Sequence, residues 1–467
     1  MSLPPDLVER IWERDPTVWT GTSEAQWLGW LDEPVHAREQ LKRYREVAER
    51  ALDGVDAVVL LGMGGSSLAP EVLRRTFDVE RFRVLDTTHP AAVRALADRL
   101  DPARTLVVAA SKSGGTIETR SHLELFWERA AGLARPGSRF LAITDPGSGL
   151  ETLARERGFV AVVAGEPTIG GRYSALSPFG LVPAALMGID LDRLLASAEE
   201  MREQCRLGGS PGLELGLALA AGWAAGRDKV CIPASPGGFG LWVEQLVAES
   251  TGKQGKGLVP APDEGLTAPD APAGAPPAPD RQLAELHIAE PYDLGAEFFR
   301  WEFATAVAGA LLGINPFDQP DVQAAKDRTS AILTRREAPV AAPLSSLDEL
   351  LAQARPGDYV AIQAFVDPTP AAEARIESLA SAIRARTGLV VTHGLGPRYL
   401  HSTGQLHKGG PNTGLFLQVV DDVGPELAIP GQPFGFARLI TAQAAGDLEA
   451  LRERGRRVAR VRLEEML

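Results

Sequence analysis

Two segments of the chain set glycines beside hydroxyls in the way an anion-binding turn requires. The first, VVLLGMGGSSLAPEVLRR, carries an apolar run into Gly62, Gly64 and Gly65 and then Ser66 and Ser67. Glycines let backbone amides approach a ligand, and a helix start offers unpaired N–H groups and a dipole that favours negative charge. The second, TLVVAASKSGGTIETRSHLELFW, sets Ser111, Lys112, Ser113, Gly114, Gly115, Thr116 and Thr119 between an apolar run and an amphipathic stretch. Hydroxyls, glycines and a lysine together suit a monophosphate, whose oxygens accept many hydrogen bonds without demanding a metal. The P-loop pattern G-x-x-x-x-G-K-[ST] is absent. The first turn also approaches the dinucleotide pattern G-x-G-x-x-G, with Asp86 near the place of a ribose-binding carboxylate, but Ser67 stands where the last glycine belongs.

Three later segments carry residues suited to proton transfer. In IGGRYSALSPFG, Gly170 and Gly171 let the chain turn sharply and aim the fixed cation of Arg172. In GGFGLWVEQLVAESTGKQGKG, a helix closed by Gly252 brings Gln245 and Glu249, four apart, onto one face. The negative end of that helix disfavours a carboxylate at Glu249, while Lys253 and Lys256 oppose the effect. In NPFDQPDVQAAKDRTSAIL, Asp318 is placed to cap a helix with Pro320 in its first turn. Gln319 and Lys326, seven apart, then share a face. A fourth segment, LHSTGQLHKGG, holds His401, Gln405, His407 and Lys408.

The elements that must hold these residues follow from periodicity. Apolar, β-branched runs at Ala57–Leu61, Phe82–Leu85, Thr105–Ala109, Phe140–Ile143 and Phe159–Val163 alternate with amphipathic stretches such as Leu68–Phe77, Ala91–Leu100 and Ile117–Leu133. That order predicts a parallel sheet covered on both faces. A second alternation starts at Lys229–Ile232 and resumes at Tyr359–Phe365, Leu389–Thr392 and Leu415–Val419. The expectation is an α/β chain with a helical, tryptophan-rich lead-in over 1–50, one domain over 51–195 and a second over 196–467. Seven prolines between Pro260 and Asp280 predict a solvated loop, and a softer Pro/Ala stretch runs from Ala338 to Pro343.

Composition narrows the classes. The 467 residues carry a net charge of −13, which argues against a nucleic-acid footprint or a polybasic membrane surface. The longest apolar stretch, near Gly212–Gly226, is broken by Glu214, and the N-terminus lacks the basic flank and apolar run of a secretory signal. A cytoplasmic location is the default expectation. Two cysteines cannot build a disulfide framework or a cysteine zinc site. Only seven of the 48 basic residues are lysines, and five of them fall inside the motifs above: Lys112, Lys253, Lys256, Lys326 and Lys408. A lysine kept in an arginine-rich chain points to a position that needs an ammonium.

The two turns together resemble the sugar isomerase (SIS) domain, and more narrowly the glucose-6-phosphate isomerase family, whose strand-end turns read like LGMGGSS and SKSGGTIET. LGWLD and YLHSTGQLHKGGPN are similar to stretches in the isomerase half of fused transaldolase–glucose-6-phosphate isomerase proteins. The resemblance implies two SIS-type doubly wound parallel-sheet domains flanked by helices. It assigns phosphate contacts to Ser111, Lys112, Ser113 and Thr116, with Thr119 close by and Gly65 and Ser66 at the edge of the pocket. It makes Arg172 the stabiliser of an enediolate beside Gly171, and Glu249 the base, four residues after Gln245. It gives Lys326 a ring-oxygen or hydroxyl contact and Gln319 a phosphate-side contact. His401 would be the ring-opening histidine, with His407 in reserve. The order departs from the family, which places its histidine segment before the Asp-Gln…Lys segment.

The implied activity is aldose–ketose isomerisation of glucose 6-phosphate and fructose 6-phosphate, in glycolysis and gluconeogenesis, with no metal or redox cofactor. The family is dimeric and draws its histidine from the neighbouring subunit. Three other readings stand beside this one. An isomerase could also accept mannose 6-phosphate; a nicotinamide dehydrogenase would use GMGGSS and Asp86; a non-catalytic SIS protein would bind a sugar phosphate as a sensor.

Overall fold

The computed structural model describes residues 6–267, 276–321, 328–329, 331–334 and 345–465. The N-terminal region opens with helices α1 (Leu7–Trp12) and α2 (Glu33–Ala51). The expected alternation follows: β1 (Ala57–Leu61), α3 (Leu68–Thr76), β2 (Phe82–Leu85), α4 (Pro90–Asp98), β3 (Thr105–Ala110), α5 (Ile117–Arg129), β4 (Phe140–Thr144), α6 (Gly149–Glu156) and β5 (Ala161–Ala164). All five strands pair in parallel, in the order β2-β1-β3-β4-β5. Every residue of β3 is buried, which is why its sequence is continuously apolar instead of alternating. In this strand order the connections reverse direction between β1 and β3, and the crevice beyond their carboxyl ends is where such sheets bind ligands. Both glycine-hydroxyl turns leave from those two strand ends.

A helical layer comes next: α7 (Pro178–Met187), α8 (Leu191–Gln204) and α9 (Pro211–Ala224), then α10 (Phe239–Thr251) and α11 (Leu294–Leu312). Helix α8 runs across the boundary expected between residues 195 and 196, and both α8 and α9 pack on α11. The lead-in tryptophans face this layer as well. Trp12 stacks with Phe299 and Phe303, Trp30 packs against Phe299, and the Trp19 indole donates to the Ala306 carbonyl at 2.8 Å.

The second alternation divides between two parallel sheets. Strands β6 (Lys229–Ile232), β7 (Val259–Pro262) and β8 (Arg281–Leu283) form one in the order β7-β6-β8. The other has the order β10-β9-β11-β12, from β9 (Tyr359–Phe365), β10 (Val390–Leu395), β11 (Gly414–Val420) and β12 (Arg457–Arg462). Its helices are α12 (Leu347–Leu351), α13 (Pro370–Thr387), α14 (Gly404–Gly409) and α15 (Phe436–Glu453). Glu264 joins the two sheets: its carboxylate accepts the Val391 N–H of β10 at 3.1 Å and pairs with Arg384 of α13.

The proline-rich stretch corrects one expectation. Its first residues, through Pro262, belong to strand β7 and not to a solvated loop. An edge strand hydrogen-bonds on one side only, so the N–H groups that Pro260 and Pro262 lack are not missed there. Residues 268–275 of that stretch, and 338–343, lie outside the described residues. Helix α15, late in the chain, covers a face of the first sheet. Phe436, Leu439, Ala442 and Ala445 share one core with Val59, Leu61, Val107 and Ala109. Among the described residues no helix is long and apolar enough to cross a membrane.

Candidate active site

The turn after β1 is the hub. Gly64 has φ +55°, and a Cβ there would meet the His401 carbonyl oxygen at 2.6 Å and Gln245 Nε2 at 2.8 Å. A Cβ on Gly65 would lie 1.9 Å from the Gly171 carbonyl oxygen. These glycines therefore let three distant segments close onto one turn. Ser66 is nearly buried beside them.

The turn after β3 forms the adjoining wall. Thr116 precedes α5 with extended backbone, and its Oγ1 lies 3.0 Å from Ser111 Oγ. The first amides of α5 have no partner within the helix, so hydroxyls and N–H groups converge there. Ser113 is exposed, and its hydroxyl accepts the Gly115 N–H at 3.3 Å. Thr119 Oγ1 is buried, with no hydrogen-bond partner among the described residues. Lys112 does not stand open to a ligand: its ammonium donates to Asp145 Oδ2 at 2.6 Å and to the Glu166 carbonyl at 2.9 Å.

Helix α10 supplies the centre. Gln245 Nε2 donates to Glu249 Oε2 at 3.0 Å and to the His401 carbonyl at 2.8 Å. Gln245 Oε1 is buried with no protein partner among the described residues, leaving an acceptor inside the site. The other oxygen of Glu249 lies 3.3 Å from Arg172 Nη1. The Arg172 guanidinium is itself buried, and four bonds of 2.8 Å fix it. Nε donates to Ser250 Oγ, Nη1 to Gln319 Oε1, and Nη2 to the carbonyls of Pro316 and Asp318. A planar five-donor fork satisfies this set, and a lysine could not.

Lys253 braces the same loop from below, donating to the carbonyls of Asn315 and Asp318 and to Asp318 Oδ1. Burial, and next the charge of Arg172, pull its pKa down to about 8 against the opposing pull of Asp318. The Asp318 side chain is thus engaged by Lys253, and residues 322–327, where a helix capped by it was expected, lie outside the described residues. Lys326 lies among them.

His401 closes the site in the same chain. Its Nε2 is 3.0 Å from Glu118 Oε1 on α5, and the same oxygen accepts Gln443 Nε2 from α15 at 2.7 Å. Gln405 ties the segment down, donating to the Gly252 carbonyl at 2.9 Å and to Asp321 Oδ2 at 2.7 Å. His407, the reserve candidate, belongs to the interior. It packs against Tyr399 and Phe416, its Nδ1 pairs with Gln363, and burial drives it well below the usual imidazole range. Asp86 faces Arg398 at 3.5 Å, and burial pushes its carboxyl up, so the side chain is already engaged within the protein and does not stand open to a ribose.

Gly65, Arg172, Gly171, Gln245, Glu249, Gln319 and His401 therefore form one connected set of contacts, which reaches the Ser111–Thr119 turn through Glu118. Sequence reasoning missed Glu118 and Gln443. Glu118 sits inside the second turn motif, where a carboxylate beside an expected phosphate site was the available signal. Gln443 gave none, since it arrives from 325 residues away.

A phosphoglucose isomerase family model matches residues 39–211, a span that includes both turns and Arg172 but neither Glu249 nor His401. The glucose-6-phosphate isomerase of Rubrobacter xylanophilus is 30% identical over 380 residues, covering 64% of this chain and 87% of its own. That of Thermus thermophilus is 41% identical over 183 residues, 38% of this chain and 43% of its own, so the match spans less than half of that relative's length. Among solved structures, a glucose-6-phosphate isomerase from Chlamydia trachomatis has a similar fold, with TM-score 0.52 at 21% identity over 64% of this chain and 73% of that one.

Proposed function

This chain belongs to the phosphoglucose isomerase family, and on that premise we propose that it interconverts glucose 6-phosphate and fructose 6-phosphate by proton transfer through a cis-enediolate. The observation that carries the reading is the setting of Glu249. One carboxylate oxygen faces the Arg172 guanidinium and the other accepts from Gln245, whose amide also holds the His401 segment that meets the hydroxyl-rich turn through Glu118. A base, a fixed cation and an anion-binding turn are the three parts that isomerisation of a phosphorylated sugar needs.

In this reading the phosphate rests on Ser111, Ser113, Thr116 and Thr119 at the start of α5, with Gly65, Ser66 and Gln319 alongside. Lys112 holds the turn by way of Asp145. His401, with Lys326, assists opening of the pyranose ring. Glu249 then takes the C2 proton, and the freed electron pair forms the C1–C2 double bond as the carbonyl oxygen on C1 becomes the enediolate oxygen. Arg172 stabilises that charge. Return of the proton to C1, with O1 protonated and the O2 proton released, gives the ketose.

The test is conversion of fructose 6-phosphate in EDTA, followed through glucose-6-phosphate dehydrogenase and NADP. Turnover insensitive to the chelator supports the reading. Folded protein that binds the sugar phosphate but leaves it unchanged overturns it in favour of a sensor.

A further inference from the structure

We propose that α15 is the positioning element for His401: Gln443 and Asp447, one turn apart on its buried face, fix the histidine's partner and its backbone together. The inference rests on the isomerase reading for its catalytic meaning, while the geometry stands apart from it. Both residues are buried, 2% and 1% exposed, on a helix whose neighbouring side chains enter the core of the first sheet. Polar groups persist at such positions only when their partners repay the loss of water.

The Gln443 partners set its orientation. The Thr88 hydroxyl lies 2.7 Å from Oε1 on one side, and Nε2 donates to Glu118 Oε1 at 2.7 Å on the other. An ionised carboxylate only accepts, so the amide must turn its NH2 toward Glu118. The same oxygen faces His401 Nε2 at 3.0 Å, which puts a proton on Nε2, the nitrogen that donates to it. The amide thus helps to hold the carboxylate, and the carboxylate in turn orients the ring.

Asp447 acts on the backbone. Its Oδ2 accepts the Tyr399 hydroxyl at 2.6 Å and its Oδ1 meets the Lys408 ammonium at 2.5 Å, all three groups being buried. Tyr399 lies two residues before His401 and Lys408 seven after it, so both ends of the histidine segment are tied to a single carboxylate. The third restraint, from Gln245 to the His401 carbonyl, comes from the helix that carries Glu249. The ring-opening histidine and the base are thereby referred to one frame within one chain.

Gln443→Met keeps the side-chain length and removes both hydrogen bonds. It is compared with the wild type and with His401→Ala in the full chain, with thermal melts to show that each variant folds. With fructose 6-phosphate, the expected result is a tenfold or greater loss of kcat, KM within about twofold, and no further loss when Gln443→Met is added to His401→Ala. Ring-nitrogen shifts of labelled histidines, with His401 assigned from its alanine variant, should show one Nε2–H tautomer in the wild type and a mixture in Gln443→Met. An unchanged tautomer, or losses that simply multiply in the double variant, would overturn the proposal. Should the wild type lack isomerase activity, the nitrogen shifts still decide the positioning claim, and only the isomerase reading falls. Asp447→Asn, which keeps the shape but leaves Lys408 without its counter-charge, should broaden the His401 signal; a sharp, unmoved signal in folded protein counts against the backbone half of the proposal.

Discussion

Replacing Gly65 by alanine should push the Arg172 turn away from the base. The added Cβ would stand 1.9 Å from the Gly171 carbonyl oxygen and 2.3 Å from its carbon, and both are backbone atoms with no side chain to swing aside. Ordinary contact begins near 3.4 Å, so the two turns must part by about 1.5 Å. The backbone of Gly65 lies outside the left-handed region, so the cost is steric and not conformational. Overpacking of this kind costs about 1–3 kcal/mol of stability. A reacting group displaced by about 1 Å costs on the order of 100-fold in rate. Gly171→Ala is the control, because a Cβ there meets nothing within 4 Å. The coupled fructose 6-phosphate assay and a thermal melt should show Gly65→Ala folded, with a melting temperature several degrees lower and kcat down about 100-fold. Gly171→Ala should melt like the wild type, with any effect confined to KM. If Gly65→Ala keeps kcat within about threefold, contact between the two turns does not position Arg172.

Lys253→Met removes the ammonium bonded to Asn315 and Asp318, and should lower kcat about tenfold at pH 7. In the wild type the same loss should set in as pH rises past about 8, where the ammonium gives up its proton; a pH–rate profile with the same alkaline limb in both proteins would count against it. Burial, with help from the charge of Glu166, lifts Glu33 to about 8. Between pH 4.5 and 8 the folded chain then holds a proton that the unfolded chain has released. Its contribution is whole below pH 4.5 and is lost as pH rises through 8. Glu33→Gln should therefore match the wild type in urea melts at pH 4.5 and exceed it at pH 9 by up to about 5 kcal/mol, from the cost per pH unit; an equal gain at both pH values would refute this. Because His401 meets Glu118 and Gln245 of its own chain, mixing His401→Ala with Glu249→Gln proteins should restore no activity after proven subunit exchange. Recovery toward one quarter of wild-type activity would mean that sites are shared between chains.

Local pattern carried the first sheet. Its strands begin and end within two residues of the apolar runs, and the central strands, buried on both faces, must be apolar almost throughout. The turns were legible for a related reason, since a glycine is needed wherever another backbone comes within a Cβ's reach. Most of the lysines kept in this arginine-rich chain are bonded ammonium groups. Lys229, Lys253 and Lys408 are buried ammonium groups with carboxylate partners, Lys112 is half-buried against Asp145, and Lys42 lies on the surface. The prolines at 260 and 262 misled because composition does not say which side of a strand goes unpaired. The tryptophans of the lead-in could be counted but not docked, since their partners on α11 lie nearly 300 residues away. Gln443, Thr88 and Glu118 converge by topology alone, and no spacing in the chain announces them.

The central claim is that the Glu249 carboxylate carries a proton between C2 and C1. The direct measurement is NMR of sugar phosphate turned over in D2O by the wild type and by Glu249→Gln, with ligand-induced thermal stabilisation showing that both still bind it. The account predicts deuterium at the reacting carbons with the wild type, and neither label nor conversion with Glu249→Gln despite normal binding. Conversion or labelling at the wild-type rate by Glu249→Gln would contradict it.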